Sequence, residues 1–311
     1  MALFGLEDQA AGLRRGPSSK EESIFRLFQD ADDNIVARPR IKPSKKETPL
    51  PPLVAIASGK GGVGKTFFSV NLALDWHSQG KKCAVMDLDW GLGNLDIALG
   101  IAPQKHLGHV LFGECSVAEA LIDYEGLLLL PNACGESFHE YSLTEQLDYV
   151  MRGIVAAEPS CNLIVADTHP GLGPATIDVI RRATATVVVS TPEPTAITDT
   201  YALFKVLYQE PLHGSVGLVI NQAPSAERAQ EAAERLNAVA MRFLGQEIPY
   251  WGYVPQDSTV SQSVCNQRPL LKSAPWGRTS VALRNIGETV STVVAAYQRQ
   301  EALQNALKES V

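Results

Sequence analysis

The chain has 311 residues, 45% hydrophobic and 20% charged, the make-up of an ordinary globular protein with room for one large α/β domain or two smaller ones. No apolar run approaches the ~18 residues of a membrane span, and the N-terminus lacks the charged-then-apolar plan of a signal peptide, so a cytoplasmic protein is expected. A net charge of −7 without a long basic tract argues against non-specific nucleic-acid binding by the body of the protein.

Residues 1–52 read as a tail. Leu6, Ala10 and Leu13 fall on one face of a short helix, which Gly16-Pro17-Ser18 breaks. Ser19 with Glu22 forms a capping-box start for a second, with Ile24, Leu27 and Phe28 on one face. Prolines 39, 43, 49, 51 and 52 and the basic residues Arg38, Arg40, Lys42, Lys45 and Lys46 then mark a solvated spacer. Ordering a dozen residues costs roughly 1–2 kcal/mol each, while two or three buried leucines return about 1.5–3 kcal/mol each. The tail therefore docks on a partner or stays mobile.

Gly59 to Thr66 fits G-x-x-x-x-G-K-[ST] without a mismatch, between the apolar run Leu53–Ala57 and a helical pattern over Lys65–Ser78. Gly59, Gly61, Gly62 and Gly64, with Val63, let the backbone wrap a polyphosphate and aim N–H groups at it from a helix N-terminus. Lys65 supplies a point charge for the β- and γ-phosphates, and the Thr66 hydroxyl is a Mg²⁺ ligand. The stretch predicts a nucleotide site.

Further apolar runs follow at Cys83–Asp87, Leu127–Leu130, Leu163–Ala166, Thr186–Ser190, Val216–Ile220 and Tyr250–Val254. They are continuous rather than alternating, as in strands buried on both faces. Helices fit between them, with capping boxes at Ser116/Glu119 and Ser142/Glu145. The pattern predicts an α/β P-loop NTPase of about seven mostly parallel strands, flanked by helices on both faces, over residues 53–280. Asp87 and Asp89 end the second run a residue apart, so their side chains take opposite sides. Asp167 ends the run Leu163–Ala166, and Gly171 and Gly173 allow the loop after it to move.

The five cysteines, 83, 115, 134, 161 and 265, are odd in number with no C-x-x-C, and read as reduced and mostly buried. His106 and His109, without an obvious carboxylate partner, read as a surface loop. At residues 281–311, Ile286, Val290, Val293, Val294 and Tyr297 form a helical apolar stripe that Leu303, Ala306 and Leu307 continue less regularly. Its charges are too balanced for a strong anionic-lipid anchor, and core packing and weak peripheral membrane contact both stay open.

Lys60 at the start of the glycine loop, with D-x-D-x-G-L-x-N-L-D over Asp87–Asp96, resembles the deviant Walker-A ATPases of the MinD/ParA (SIMIBI) type. That resemblance implies ATP/ADP and Mg²⁺ as cofactors and an ATP-bound homodimer in which Lys60 reaches the partner's nucleotide. It implies that Asp89 positions the attacking water, that Asp167 is the Walker-B aspartate, and that Asp87 sits near the Mg²⁺ shell. Asn221 would face the adenine edge, with Pro255 and Asp257 in the loop that covers it.

Thr191–Leu207, Gly113–Leu121, Gln267-Arg268-Pro269 and above all Asp8-Gln9-Ala10-Ala11-Gly12-Leu13-Arg14 resemble the flagellar-number regulators, the FlhG or FleN group. The implied partners are an FlhF-like GTPase, into whose site Gln9 would reach while Leu13 and Arg14 hold the helix, and a flagellar transcriptional regulator or switch protein. A division-site MinD and a non-hydrolysing adaptor are the alternatives. The chain departs from the family pattern at Trp90, at Phe67-Phe68, read as packing variants, and at His169-Pro170 in the second switch.

Overall fold

The computed structural model describes residues 49–89, 93–132, 143–209 and 211–309. Asp8, Gln9, Ala10, Leu13 and Arg14, the second tail helix, Trp90, Cys134 and the Ser142 cap lie outside them.

The strands are β1 (Leu53–Ala57), β2 (Cys83–Leu88), β3 (Ile122–Tyr124), β4 (Leu127–Leu130), β5 (Leu163–Thr168), β6 (Ala185–Ser190), β7 (Ser215–Ala223) and β8 (Tyr250–Pro255). They form one sheet in the order β3-β4-β2-β5-β1-β6-β7-β8. All neighbours are parallel except the edge pair β3–β4. The sheet has eight strands among the described residues, against the seven expected. The extra one is β3, three residues joined to β4 by Glu125-Gly126, both at positive φ (52° and 89°), the backbone of a tight hairpin.

The helices are α1 (Lys65–Ser78), α2 (Leu95–Leu99), α3 (Leu107–Leu111), α4 (Val117–Ala120), α5 (Leu143–Ala157), α6 (Pro174–Arg182), α7 (Pro194–Leu207), α8 (Ala226–Leu244), α9 (Ser258–Cys265), α10 (Leu270–Ser273) and α11 (Arg278–Glu309). They cover both faces because the strands alternate. Leu53, Ala55 and Ala57 of β1 enter the core shared with α5 to α8, while Val54 and Ile56 enter the one shared with α1 and α11. Ser116 caps α4 and exchanges hydrogen bonds with Glu119, as its spacing predicts.

α1 is held between the sheet and α11. Phe68 and Trp76 on it are fully buried, each contributing about 1.5–3 kcal/mol by area. The Trp76 indole N–H donates to the Gly287 carbonyl at 3.1 Å. Phe67 packs edge-on against Phe68, so this pair is indeed packing. Leu283, Ile286, Val290 and Val294 bury one stripe of α11 in the same core, whereas Leu303 and Leu307 are exposed. Cys83, Cys115 and Cys161 are buried free thiols, and Cys265 is exposed. His106 is not in a surface loop: it is buried at the N-cap of α3, where its N–H donates to His109 Nδ1 at 3.3 Å.

Candidate functional site

β1 lies at the sheet's centre, with β5, β2, β4 and β3 on one side and β6, β7 and β8 on the other, so the chain reverses its side of β1 between β5 and β6. The crevice at the carboxyl end of such a reversal is where open α/β sheets bind ligands. The glycine loop leaves β1 at that point. Gly62 and Gly64 take positive φ (77° and 103°), and a Cβ on Gly64 would fall 2.6 Å from Asn221 Nδ2. A Cβ on Gly59 would meet the Asp199 carbonyl oxygen at 2.3 Å, so the loop's first turn packs against α7. Gly61 differs from these three. It is exposed and outside the left-handed region, and a Cβ there would meet nothing nearer than Pro170 Cγ at 3.8 Å, an ordinary contact. The chain's own packing leaves room for a side chain at Gly61, so glycine is needed there only if a phosphate comes close to the backbone. Gly64 is also the N-cap of α1 and offers no side chain to the first helical N–H groups. These are the donors that an anion at a helix N-terminus would take.

The acids sit directly beside the loop. β2 and β5 are neighbours in a register that sets Asp87 opposite Asp167. Both are buried. Burial, then the neighbouring Asp167 charge, drives Asp87 well above the usual carboxylate range. Burial likewise raises Asp167 to about 6, against the pull of Thr66 and Lys65. Lys65 is itself buried, which lowers its pKa, while Asp167, Asp89 and Asp87 act to keep it charged.

These groups have different engagements. Asp87 Oδ1 accepts from the Asp89 N–H at 3.0 Å, and its Oδ2 accepts from those of Asn94 and Leu95 at 3.1 and 3.2 Å, so it ties the end of β2 to the start of α2. Asp167 Oδ2 accepts from the Thr66 hydroxyl at 2.5 Å. Among the described residues, Asp167 Oδ1 is buried with no hydrogen-bond partner. Such an oxygen normally has one. A Mg²⁺ ion or its bound water beside Thr66 would provide it, and the raised acids would gain from the positive charge. No group of three or more metal-caging side chains occurs among the described residues. Mg²⁺ needs none, since it is held by one or two carboxylates, phosphates and waters. The residues fit Mg-nucleotide.

Asp89 follows β2 and is mostly covered, and its Oδ1 lies 2.6 Å from Nδ1 of His169. Lys60 reaches Glu193 Oε2 and Thr195 Oγ1, both at 3.1 Å, within its own subunit. The Asn221 amide donates to the Val63 carbonyl at 2.7 Å and so buttresses the loop from below. Pro255 ends β8, next to β7. Asp257 caps α9 through the Thr259 N–H at 3.0 Å and accepts from the Thr279 hydroxyl at 2.8 Å, so its carboxylate is turned toward α9 and α11. Sequence reasoning singled out neither Glu193 nor His169 as a partner of these residues. Only the strand order and the entry of α7 bring them there.

Fold and site together define a P-loop nucleotide-binding protein with paired buried acids. Residues 54–270 match the CobQ/CobB/MinD/ParA nucleotide binding domain, and the chain belongs to that family. It is a nucleotide-binding ATPase that works with Mg²⁺. Over 243 residues it is 31% identical to the antiactivator FleN of Pseudomonas aeruginosa, spanning 77% of this chain and 86% of FleN. Over 227 residues it is 35% identical to the flagellum site-determining protein YlxH of Helicobacter pylori, spanning 71% and 76%. In fold it resembles the septum site-determining protein MinD of Pyrococcus horikoshii OT3 complexed with Mg-ADP, with a TM-score of 0.63 at 23% identity, covering 80% of this chain and 99% of that one. No helix among the described residues is long and apolar enough to cross a membrane.

Proposed function

We propose that the protein is an ATP-driven dimer switch that sets the number or placement of flagella and stimulates an FlhF-like GTPase through residues 8–14. The observation that carries this reading is the likeness to FleN and YlxH over most of the chain. The D-Q-A-A-G-L-R element at residues 8–14 supports the GTPase partner.

In this reading the N–H groups of residues 61–66 and Lys65 hold the phosphates, with Gly61 keeping their approach open, and Thr66 and Asp167 hold Mg²⁺, with Asp87 fixing the loop beside it. The metal supplies charge neutralisation on the phosphate oxygens when bound. Asp89 orients the attacking water. Lys60 exchanges Glu193 for the partner's nucleotide, coupling charge compensation to dimerisation. Asn221 lies under the loop on the adenine side, and the chain after Pro255, through Asp257, flanks it.

The test has two arms. ATP should raise the dimer fraction in light scattering for Asp89→Ala and not for Lys65→Ala. A peptide of residues 1–30 should speed GTP turnover by an FlhF-type GTPase, and Gln9→Ala should abolish the effect. An ATP-indifferent monomer sinks the switch, and an inert peptide sinks the GTPase partner.

The exposed Leu303 and Leu307 favour a second reading, a MinD-like division-site ATPase that docks on membrane. ATP-dependent pelleting with anionic liposomes separates the two.

A further inference from the structure

β2 and β5 run parallel and in register as far as Leu88 and Thr168. One residue further, Asp89 and His169 therefore leave the sheet side by side. Their side chains meet at 2.6 Å, Oδ1 to Nδ1. An ionised carboxylate has no proton to give, so Nδ1–H is the donor between these two atoms. One oxygen of Asp89 is thereby engaged and the other is left to accept from a water.

The imidazole has a fixed root. The Thr176 hydroxyl on α6 donates to the His169 carbonyl at 3.0 Å. The preceding Thr168 hydroxyl donates to the Ile56 carbonyl of β1 at 3.0 Å, and the Gly171 N–H to the Ser58 carbonyl at 2.8 Å. His169 is thus fastened on both sides to the strand that carries the glycine loop. Its ring is 41% exposed against 14% for the Asp89 side chain, so it borders solvent without being core. Among the described residues no other side chain hydrogen-bonds the Asp89 carboxylate.

We propose that His169 is a positioning residue for ATP hydrolysis, holding one oxygen of Asp89 so that the other faces the water to be activated. The inference rests on the reading of Asp89 as the water-orienting group. His169 does not touch the reacting atoms. It restricts a carboxylate whose side chain would otherwise sample several rotamers, and small misplacements of such groups are costly in rate.

The experiment uses the full chain with Mg-ATP and compares wild type, His169→Ala, His169→Asn, Asp89→Ala and the Asp89→Ala/His169→Ala double variant. Asparagine can place an amide N–H near the position of Nδ1. His169→Ala should lower kcat about tenfold or more, with KM for ATP, ADP affinity and melting temperature unchanged. His169→Asn should recover most of kcat, and the double variant should be no slower than Asp89→Ala. Independently of turnover, ¹⁵N NMR of the nucleotide-free protein should report Nδ1 of His169 protonated, a preference that Asp89→Ala releases. If His169→Ala keeps wild-type kcat while Asp89→Ala loses it, His169 has no such role and the reading of Asp89 stands. If Asp89→Ala turns over normally, both fall. A loss that asparagine does not restore also overturns the proposal.

Discussion

Asp87 and Asp167 face each other across β2 and β5, paired in register and both buried beside the glycine loop. Burial drives both upward, Asp167 to about 6, whereas an unfolded aspartate titrates near ~3.9. Between these values the folded chain binds more protons than the unfolded one, so this pair costs stability as pH rises from about 4 through about 6. Asp167→Asn should remove its own share of that slope in the nucleotide-free protein, leaving the share that burial gives Asp87. The variant's stability relative to wild type should therefore rise between about pH 4 and about pH 7 in urea titrations. Parallel wild-type and variant profiles would contradict the assignment. Mg-ADP, added to wild type, should flatten the profile in the same sense.

Lys60 spends its charge on Glu193 when the subunit is alone. The pair is exposed, with side chains 39% and 66% accessible, so it is worth at most ~1 kcal/mol. Two such pairs are given up per dimer, so Glu193→Gln should lower the protein concentration needed for ATP-dependent dimerisation by no more than about thirtyfold. Raising the salt should narrow the difference. Lys60→Ala should abolish the ATP-dependent dimer. Sedimentation velocity over a concentration series checks all three, and a Glu193→Gln protein that dimerises less readily would mean that the glutamate belongs to the interface.

The glycine loop, the central strands and the acids were legible in the sequence because each depends on local pattern. β1, β5 and β6 are continuous apolar runs since both of their faces are covered, and the strand ends carry Asp87 and Asp167. The glycines of the loop look alike in the sequence, yet the fold itself requires only Gly59, Gly62 and Gly64, and a Cβ at Gly61 would make no more than an ordinary contact. β3 was missed because its three residues, Ile122–Tyr124, are only half covered and its one mark is the Glu125-Gly126 turn. The pairings within the site were illegible for another reason. Asp89 and His169 are 80 positions apart, and Lys60 and Glu193 133. Nothing periodic encodes that β2 lies beside β5, or that α7 begins beside the loop. Asn221 was legible as a strand-end amide, but its bond to Val63 depends on how closely β7 approaches Gly64.

Asp257 ties two helices together, capping α9 and accepting from Thr279 on α11 with Arg278 nearby. The Thr259 N–H, then the Thr279 hydroxyl and the Arg278 charge, hold it down at about 2. A depressed carboxylate contributes stability above its unfolded value, ~3.9, and loses it as pH falls through about 2. Asp257→Ala should cost about 0.5–2 kcal/mol at neutral pH, the range for a lost N-cap. The gap to wild type should shrink on acidification below about pH 4. A pH-independent gap would show that the cap bond contributes nothing through its charge.

α11 divides into a part that is core and a part that is not. Ile286 and Val290 are buried against α1, and Ile286→Ala should cost about 2–5 kcal/mol, the usual penalty for truncating an aliphatic core residue. Further along, the Tyr297 hydroxyl lies 2.8 Å from His213 Nε2. Leu303 and Leu307 stand 67% and 69% exposed, four positions apart on one face. The double change Leu303→Asp/Leu307→Asp should therefore move stability by no more than about 0.5 kcal/mol, as for ordinary surface positions. Truncation after Arg299 should leave the melting temperature in place, whereas truncation after Ala282 should remove the helix that covers α1 and prevent folding. A truncation after Arg299 that melts several degrees lower would place the last turns in the fold itself. An unchanged melting temperature with lost liposome pelleting in ATP would assign those two leucines to the membrane.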